Sequence, residues 1–275
     1  MSAPLVSWVD GVAAGSIPID DRGLHYGDGL FETILVRGGQ ARFLEAHLAR
    51  LTAGCARLAI PFAAESSLRA DLAAACARAP GLGILKIIVT RGSATRRGYA
   101  PDGDAPRCIV SLYETTPLAA ELRLGVDLIL ATGSVAEHPG LAGLKHLGRL
   151  ESVWALGEAR NAGAFDALLR TAGGHVVSGA MSNLFIVRNG EVQTPRVDRA
   201  GVAGVMRSVV LRECASLGTP AAEKMITLDD LHAADELFVT NARIGVVPVR
   251  RVGEHDYPMN SFARRLAAHI EALDA

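Results

Sequence analysis

The chain has 275 residues, of which 49% are hydrophobic and 21% are charged, so it can bury one large core or two smaller ones and is not a disordered chain. Its 28 basic and 29 acidic side chains give a net charge of −1, which excludes a strong field that would gather nucleic acid or an anionic membrane surface. No window reaches the ~20 apolar residues of a membrane span and the N-terminus has no basic leader, so we expect a soluble, cytoplasmic protein.

Strands with hairpin turns open the chain, and two helices follow. The predicted elements are, in order, the strands "LVSWV", "LFETILV" and "ARF", the helices 44–58 and "AESSLRADLAAACARA", and the strands "ILKIIVT" and "RCIVSLYE". Asp10-Gly11 and "RGGQ" are turn signals of antiparallel hairpins, and Pro61 ends the first helix. These elements predict an N-terminal α+β domain at residues 1–115.

A short segment with one proline and no strong periodicity, "ETTPLAAEL", follows this domain, and we place the linker at 116–121. The elements predicted in residues 122–275 are the strand "LRLGVDLILAT", a helix at 147–161, the strand "DALLRT", a hairpin around "AGGH", the strand "NLFIV", a helix from Gly204, the strand "ELFVTNA" and a helix at 261–273. Strands and helices mixed without strict βαβ alternation predict two α+β domains.

Lys145 lies in a glycine-bounded turn, "LAGLKHLG", ahead of an amphipathic helix. Apolar and glycine neighbours can desolvate a lysine, which favours the neutral amine and makes it a nucleophile toward a carbonyl group. The alternative is a solvated lysine near the start of a helix, and the residues alone leave both interpretations open.

Two segments have features of anion sites. In "AGVAGVMRSVV" two glycines precede an apolar helix, so the backbone N–H groups of Val205 and Met206 could meet a phosphate at a helix N-terminus. Arg50 lies on a helix whose other faces are apolar, where a planar guanidinium suits a phosphate or a carboxylate. The alternatives are an ordinary loop-to-helix connection and a solvated arginine.

Two further segments could line a pocket. The loop "TRGSATRRGYAP" collects cationic and aromatic side chains, namely Arg91, Arg96, Arg97 and Tyr99. It could bind a carboxylated substrate or be a solvated loop. "LHYGDGLFET" places Tyr26 and Phe31 around two glycines, and it forms either an aromatic wall or a plain glycine turn before a core strand.

No cluster of residues has the spacing of a metal site or of a catalytic triad. The four cysteines lie far apart inside apolar runs, and the three histidines near the other candidates, His25, His47 and His146, have no partner at a suitable spacing. "GAMSNLF" is not a G-x-S-x-G elbow, which argues against a serine hydrolase. We therefore expect reduced thiols, structural histidines and no metal.

Eight segments in this order resemble the fold-type IV pyridoxal-phosphate enzymes over nearly the whole chain. They are "HYGDGLFET", "FLEAHLARL", "LKIIVTRG", "RGYAP", "LAGLKHLGRLE", "SNLFIVRNGEVQTP", "GVAGVMR" and "FVTNA". The resemblance implies two α+β domains with pyridoxal 5′-phosphate in the cleft between them, usually in a homodimer whose partner closes the pocket. "LAGLKHLGRLE" and "RGYAP" are most similar to the members that eliminate pyruvate from 4-amino-4-deoxychorismate, giving 4-aminobenzoate for folate synthesis.

The resemblance also implies roles for individual residues. Lys145 would be the Schiff-base lysine and the base. The residues implied at the cofactor phosphate are Arg50, Val205, Met206, Asn241 and Ala242. The substrate-side candidates are Arg97 and Tyr99 for a carboxylate, Phe31 for an aromatic wall, and Thr33 or Tyr26 for proton transfer to the leaving group.

Two positions depart from the family pattern. Ser178 stands where the family usually carries a glutamate that pairs with the pyridine nitrogen and keeps it protonated. A hydroxyl gives a weaker electron sink, which favours elimination over transamination because elimination uses the carbanion as it forms. Gly148 stands where the lyase-like pattern has Asn, so a substrate or loop contact differs there.

Two other functions use the same residues. A D-amino-acid or branched-chain aminotransferase has this fold and cofactor, but it needs a keto acid as the acceptor. A non-catalytic relative that binds the cofactor or a partner protein is the second alternative, because the glutamate is lost and Gly148 is unusual. Release of pyruvate without an acceptor separates the lyase from both.

Overall fold

The structure, a computed structural model, describes residues 3–62, 66–94, 96, 98–101, 105–257 and 261–273. Its contacts divide the chain into two compact units. The first unit comprises Met1–Pro117 and Lys145–Gly148, and the second comprises Leu118–Leu144 and Arg149–Ala275. The chain therefore leaves the first unit within the segment predicted as the linker, and a stretch of four residues from the middle of the chain belongs to the first unit.

The described part of the first unit contains six strands and three helices. They are β1 (Val6–Val9), β2 (Val12–Ala13), α1 (Arg22–Tyr26), β3 (Gly29–Arg37), β4 (Gln40–Ala41), α2 (Leu44–Arg57), α3 (Ser66–Cys76), β5 (Leu82–Thr90) and β6 (Arg107–Glu114). The strands form one antiparallel sheet in the order β2-β1-β6-β5-β3-β4. The connections β1–β2 and β3–β4 are tight hairpins, at the predicted turn signals Asp10-Gly11 and Gly38-Gly39.

Alternation along the long central strands gives this sheet one fully buried face. In β3, Leu30, Glu32 and Ile34 are buried, whereas Phe31 and Thr33, which point to the other face, are half-buried. Helices α2 and α3 pack against the sheet, and α2 contributes Leu48, Leu51 and Cys55 from one stripe at helical spacing. The buried face of the first unit is therefore a helix-covered core.

The described part of the second unit contains nine strands and four helices. They are β7 (Val126–Val135), α4 (Leu150–Asn161), β8 (Asp166–Thr171), β9 (Val176–Gly179), β10 (Asn183–Arg188), β11 (Glu191–Pro195), α5 (Val205–Ser216), β12 (Ala221–Lys224), α6 (Leu228–His232), β13 (Glu236–Asn241), β14 (Gly245–Val252), β15 (His255–Asp256) and α7 (Ser261–Ala272). A 3₁₀ turn, Ala120–Leu124, precedes β7.

These strands form a mixed sheet in the order β12-β11-β10-β13-β14-β7-β8-β9, with β15 paired to β14. The pairs β11·β12, β14·β7 and β7·β8 are parallel and the others are antiparallel. Helix α4 packs on β7 and β8, and α7 packs on β13 and β14. The rings of Phe185 and Phe238 stack at 4.9 Å between centroids in the core.

The α+β prediction is confirmed, and most predicted elements lie within a few residues of the observed ones. Strand β6 and strand β8 have the predicted bounds. Helix α4 begins at Leu150 rather than at residue 147, because the preceding residues pair with β3 in extended form. Strand β14 was missed, and Pro248 explains the omission, since proline inside an apolar run argues against a central strand.

Within the described residues, no helix combines the length and the apolar character that a membrane span requires. The same residues hold no cluster of His, Cys, Asp or Glu side chains suited to a metal ion.

Candidate active site

Lys145 is held against the first sheet by backbone hydrogen bonds. Strand β4 pairs only with the far end of β3, so the edge at Gly29–Phe31 is left for another segment. The N–H of Phe31 donates to the Lys145 carbonyl at 3.0 Å, and the N–H of Leu147 donates to the Gly29 carbonyl at 3.0 Å. The Lys145 Nζ lies 4.3 Å from the centroid of the Phe31 ring. Lys145 was predicted to belong to the second domain, but with these bonds it is part of the first unit.

The glycines of "HYGDGLFET" allow this close pairing. A Cβ at Gly29 would overlap the Val89 carbonyl oxygen, so only glycine fits there. Gly27 caps α1 at φ +64°, and a Cβ on it would lie 3.2 Å from the Gly148 nitrogen. A Cβ at Gly148 would itself lie 3.3 Å from Nδ1 of His146, so the Asn expected here would need that ring to move by a few tenths of an ångström.

Asp28, between these glycines, is the anchor for two arginines. It accepts from Nε of Arg22 at 2.8 Å and from Nε and Nη2 of Arg91 at 2.9 and 3.2 Å. Burial works to raise the pKa of Asp28, but the hydrogen bonds from Arg91 and Arg22 outweigh it and lower the pKa below its ordinary value. Arg91 also donates to the carbonyls of Leu58 and Ala59, so it has a structural role rather than facing a substrate.

Arg22 holds the loop that was predicted to face the substrate. Its guanidinium, which is 3% exposed, donates to the carbonyls of three successive residues at 98–100. It also lies 4.8 Å from the Tyr26 ring centroid, and Tyr26 meets Tyr99 edge-on at 5.4 Å. Tyr26 and Tyr99 are therefore brought together, while Arg97 lies outside the described residues.

Behind Phe31, on the buried face of β3, Glu32 joins two side chains of α2. Its carboxylate accepts from Nδ1 of His47 at 2.6 Å and from Nε of Arg50 at 2.8 Å, and Nη2 of Arg50 makes a second, shorter contact. Glu32 and His47 are each 1% exposed, and Arg50 is 16% exposed. The pairing fixes the plane of the Arg50 guanidinium, the predicted phosphate ligand.

The protonation states in this cluster follow from its geometry. Burial works to raise the pKa of Glu32, but the hydrogen bonds from His47 and Arg50 and the charge of Arg50 lower it. Burial lowers the pKa of His47, the Glu32 hydrogen bond raises it, and the charges of Arg50 and Lys145 lower it again, with a net decrease from 6.5. His47 is therefore neutral at pH 7, and its buried Nε2 has no hydrogen-bond partner among the described residues.

The second unit presents the uncapped N-terminus of α5. Gly204 is the N-cap and provides no side-chain hydrogen bond, and Val205 and Met206 in the first turn are buried. The first N–H groups of a helix have no partner within it, so this end suits an anion. Asn183 shapes the approach, because it donates to the Val202 carbonyl at 2.9 Å and its Oδ1 leaves no room for a Cβ at Gly204.

The side chain of Asn241 is used within the protein. Its Oδ1 accepts from the N–H groups of Arg243 and Ile244 at 2.9 and 3.0 Å, and its Nδ2 donates to the Met181 carbonyl at 3.1 Å. The amide thus fixes the turn between β13 and β14. Any contact from Asn241 and Ala242 to an anion would therefore come from the main chain.

Ser178 lies in β9, opposite Leu169 of β8, and is 7% exposed. The residues that follow it are held by Asp166, which accepts from the N–H groups of Ala180 and Met181 at 3.0 and 3.4 Å and from the Ser182 hydroxyl at 2.6 Å. Burial raises the pKa of Asp166 to about 6 despite these hydrogen bonds. This carboxyl therefore fixes the backbone directly after Ser178.

Glu32, Asp166 and Asn183 were not predicted as functional residues, and His47 was expected to be a structural histidine. A signal for Glu32 was present, because strand alternation puts it between Leu30 and Ile34 on a buried face, where a carboxylate needs partners. His47 and Arg50 are three residues apart on one helix and so share a face. The arrangement in the first unit is an amine over an aromatic ring, backed by a buried carboxylate-guanidinium pair.

Comparisons with known proteins give a consistent result. A family model described as amino-transferase class IV matches residues 29–252. Aminodeoxychorismate lyase of Vibrio harveyi is 35% identical over 270 residues, covering 96% of this chain and 98% of the relative. D-alanine aminotransferase of Bacillus licheniformis is 30% identical over 239 residues, covering 86% and 83%. The crystal structure of 4-amino-4-deoxychorismate lyase from Pseudomonas aeruginosa matches with a TM-score of 0.91 and 43% identity, covering 97% of this chain and 98% of that one.

Proposed function

The chain belongs to the amino-transferase class IV family, and from this premise we propose that it is a pyridoxal-phosphate-dependent lyase that eliminates pyruvate from 4-amino-4-deoxychorismate to give 4-aminobenzoate. The observation that carries the proposal is Lys145, which the start of β3 holds over the Phe31 ring in a chain similar to two such lyases along almost its full length. The product belongs to folate synthesis.

Each unit has features that suit pyridoxal 5′-phosphate. The first unit offers the Lys145 amine for its aldehyde and the Arg50 guanidinium, which Glu32 orients. The second unit offers the uncapped amides of Val205 and Met206, which suit a phosphate. The buried Nε2 of His47, without a partner among the described residues, adds a polar atom that a ligand could satisfy. When bound, the cofactor supplies an aldehyde and a ring that accepts electrons from the carbon bearing the substrate nitrogen.

In the proposed reaction, Lys145 binds the cofactor and then serves as the base. Its neutral amine takes the proton from the carbon that carries the substrate nitrogen. The electron pair left on that carbon expels the neighbouring enolpyruvyl oxygen, the ring becomes aromatic, and the leaving group takes up a proton and becomes pyruvate. Thr33, on the same half-buried face of β3 as Phe31, is one candidate for delivering that proton, and Tyr26 is the other.

Loop 98–101 is the proposed wall of the substrate pocket. Tyr99 contacts Tyr26 edge-on, and both are exposed in this chain, with 86% and 40% of their surface accessible. We propose Tyr99 and Arg97 as contacts to a substrate carboxylate, and Arg22 holds the main chain at Gly98 and Tyr99.

Ser178 favours elimination over transamination in this proposal. A hydroxyl cannot hold a proton on the pyridine nitrogen by charge, so the cofactor ring withdraws electrons less strongly. Elimination tolerates a weaker sink, because the leaving group departs as negative charge develops and aromatisation favours the products.

We also propose a cytoplasmic homodimer of two-domain chains with domains at 1–115 and 122–275. Helix α4 carries an exposed apolar strip in which Leu150, Val153 and Trp154 are 82%, 63% and 72% accessible, and a second copy is the proposed cover. A Trp154→Glu variant should shift the sedimentation coefficient toward that of a monomer. If the variant still sediments as a dimer, this strip is not part of the interface.

The activity is tested with purified holoprotein and 4-amino-4-deoxychorismate in the absence of any keto acid. Stoichiometric 4-aminobenzoate and pyruvate are expected, and Lys145→Ala should abolish both along with the visible absorbance of the bound cofactor. The second candidate, favoured by the identity to D-alanine aminotransferase, predicts activity with D-alanine plus 2-oxoglutarate instead. A protein that binds the cofactor and does neither is a non-catalytic relative.

A further inference from the structure

Asp166, at the start of β8, is a buried carboxyl group that is satisfied by hydrogen bonds rather than by a cation. Its side chain is 0% exposed, and among the described residues no arginine or lysine pairs with it. Asp21 and Glu32 are as deeply buried, but they pair with Arg107 and Arg50. A buried carboxylate without a cation depends on its hydrogen bonds, so the groups that donate these bonds are held in place.

The hydrogen bonds of Asp166 converge on loop 180–182, which connects β9 and β10. Oδ1 accepts from the N–H groups of Ala180 and Met181 at 3.0 and 3.4 Å, and Oδ2 accepts from the Ser182 hydroxyl at 2.6 Å. A Cβ at Gly179 would lie 2.3 Å from Oδ2, so a side chain at this position would displace the carboxylate. The carboxylate therefore sets the conformation of the loop.

Met181 links this loop to the turn between β13 and β14. Its N–H donates to Asp166, and its carbonyl accepts from Nδ2 of Asn241 at 3.1 Å. The Asn241 Oδ1 in turn accepts from the N–H groups of Arg243 and Ile244 at 2.9 and 3.0 Å. Asp166 is thus connected, through one residue and one amide side chain, to the turn whose main chain is a proposed phosphate contact.

The same loop leads to the N-terminus of α5. Ser182 precedes Asn183, whose Nδ2 donates to the Val202 carbonyl at 2.9 Å and whose Oδ1 fills the space beside Gly204, the N-cap of α5. Asn183 is also opposite Thr240 in the pairing of β10 with β13, so the end of β13 lies next to it. The uncapped helix end and the turn after β13 are therefore both held by groups adjacent to one carboxylate.

We propose that Asp166 is a positioning residue for the cofactor phosphate in the second unit, an inference that rests on the proposed function. Main-chain N–H groups bind a phosphate together only if each of them points to the same place. Asp166 does not donate to the phosphate; it fixes loop 180–182, and this loop fixes the Asn241 turn and the Asn183 side chain beside α5. Because no cation of the described residues pairs with the carboxylate, its acceptor oxygens rather than its charge carry this role.

The test measures binding of pyridoxal 5′-phosphate and of pyridoxal, which lacks the phosphate, to the apoprotein. Asp166→Ala should raise the dissociation constant of pyridoxal 5′-phosphate by roughly 10- to 100-fold, the effect of losing hydrogen bonds to a charged group, and leave that of pyridoxal unchanged. The amides of residues 243 and 244 should also exchange faster with deuterium. Asp166→Asn keeps the size and an acceptor, so it should bind both compounds like the wild type.

A double-mutant cycle tests whether Asp166 acts through Asn241. Asn241→Ala should also weaken binding of pyridoxal 5′-phosphate selectively, and the loss in the double variant should be smaller than the sum of the two single losses, because both changes break one linkage. Glu236→Ala is the matched control, since Glu236 also accepts from a hydroxyl and three backbone N–H groups, those of residues 261–263, at the other end of β13. This control should lose stability and keep both dissociation constants.

Four results would overturn the assignment. Equal losses for the two compounds in Asp166→Ala would show a structural role alone, and wild-type binding of both would show that the loop does not position the site. A loss in Asp166→Asn as large as in Asp166→Ala would assign the effect to the charge. Additive losses in the cycle would exclude Asn241 as the link.

If Asp166→Ala does not fold, Ser182→Ala removes only the hydroxyl donor and should show a smaller loss with the same preference for the phosphate compound. Unchanged binding in both Ser182→Ala and Asn241→Ala would then refute the role of Asp166. These measurements need no turnover. A wild type that binds pyridoxal 5′-phosphate more tightly than pyridoxal but forms no 4-aminobenzoate would refute the proposed function alone, and a wild type without this preference would refute the role of Asp166.

Discussion

Replacing Glu32 by glutamine isolates the contribution of the buried charge cluster behind Phe31. The substitution keeps the size of the side chain but removes the charge that faces Arg50 and places an amide where His47 or Arg50 now donates. Removing one partner of a buried pair costs about 3–5 kcal/mol, and the 16% exposure of Arg50 reduces this because water screens the remaining charge. A switch of the His47 ring to its other tautomer can restore one hydrogen bond, so we expect a loss of about 3 kcal/mol in the free energy of unfolding.

The pH dependence has a definite sign. The pKa of folded Glu32 is lowered from its ordinary value of 4.5, so its stabilising contribution is fully present above pH 4.5 and is lost as the pH falls further. In urea unfolding of the apoprotein, the difference between wild type and Glu32→Gln should be large at pH 7 and should shrink below pH 4.5. Affinity for pyridoxal 5′-phosphate should also fall, because Arg50 is no longer held in one plane.

Glu45→Gln is the matched control, since Glu45 also pairs with an arginine, Arg69, but at the exposed surface. This control should unfold like the wild type, because exposed pairs contribute little. The reasoning is wrong if Glu32→Gln is as stable as the control, or if its deficit is the same at pH 4 and pH 7.

Three further predictions concern the supporting residues. Arg22 donates to the carbonyls of residues 98–100, so Arg22→Gln should speed amide hydrogen exchange in this loop. The variant should also have a higher KM and an unchanged cofactor spectrum. Exchange as slow as in the wild type would contradict this role of Arg22. Burial raises the pKa of Asp166 from 3.8 to about 6, so the wild type should lose stability relative to Asp166→Asn as the pH rises between these two values. The expected loss is about 3 kcal/mol in urea unfolding, and it should be complete at pH 7. Asparagine can keep an acceptor for the loop amides and donate to Ser182. Ser178→Glu should raise transamination of D-alanine relative to elimination, and an unchanged ratio would refute the argument about the electron sink.

Helices and strands with a clear hydrophobic periodicity could be predicted, because this periodicity is a local property of the sequence. The alternation of β5 and β6 and the stripe of α2 are visible in consecutive residues. Helices α1 and α6 have five residues each, which is too short for a periodic pattern, and they depend on caps such as the Thr227 capping box.

The position of Lys145 could not be obtained in this way. Its backbone pairs with residues 29–31, more than a hundred positions away, and nothing in "LAGLKHLG" identifies that partner. The glycines near this pairing are visible in the sequence, but the steric reason for them is not. A Cβ at Gly29 would overlap the Val89 carbonyl oxygen, and a Cβ at Gly27 would lie close to the Gly148 nitrogen.

The residues of the candidate site were predicted from separate sequence segments. The structure shows which neighbouring groups hold some of these side chains in place. Arg50 was proposed as an anion ligand. The alternation of β3 indicates that Glu32 is a buried carboxylate that needs partners, but it does not indicate that Arg50 is one of them. Arg91 was grouped with substrate-binding arginines, yet its donors are used by Asp28 and by two backbone carbonyls. The binding partner of a charged residue in a loop is therefore not defined by the sequence until the nearby carboxylates have been located.

The division between arginine and lysine in this chain follows from their chemistry. Only Lys86, Lys145 and Lys224 are lysines among its 28 basic residues, and the buried ion pairs of the first unit are made by arginines. A guanidinium stays protonated and binds carboxylates in a fixed plane, which suits permanent structural pairs. An ammonium can give up its proton and is not restricted to a plane, which suits a nucleophile and a reversible ligand contact. Two of the three lysines lie at the Phe31 ring, with Nζ 5.4 and 4.3 Å from its centroid, and the buried ion pairs elsewhere in the first unit are made by arginines.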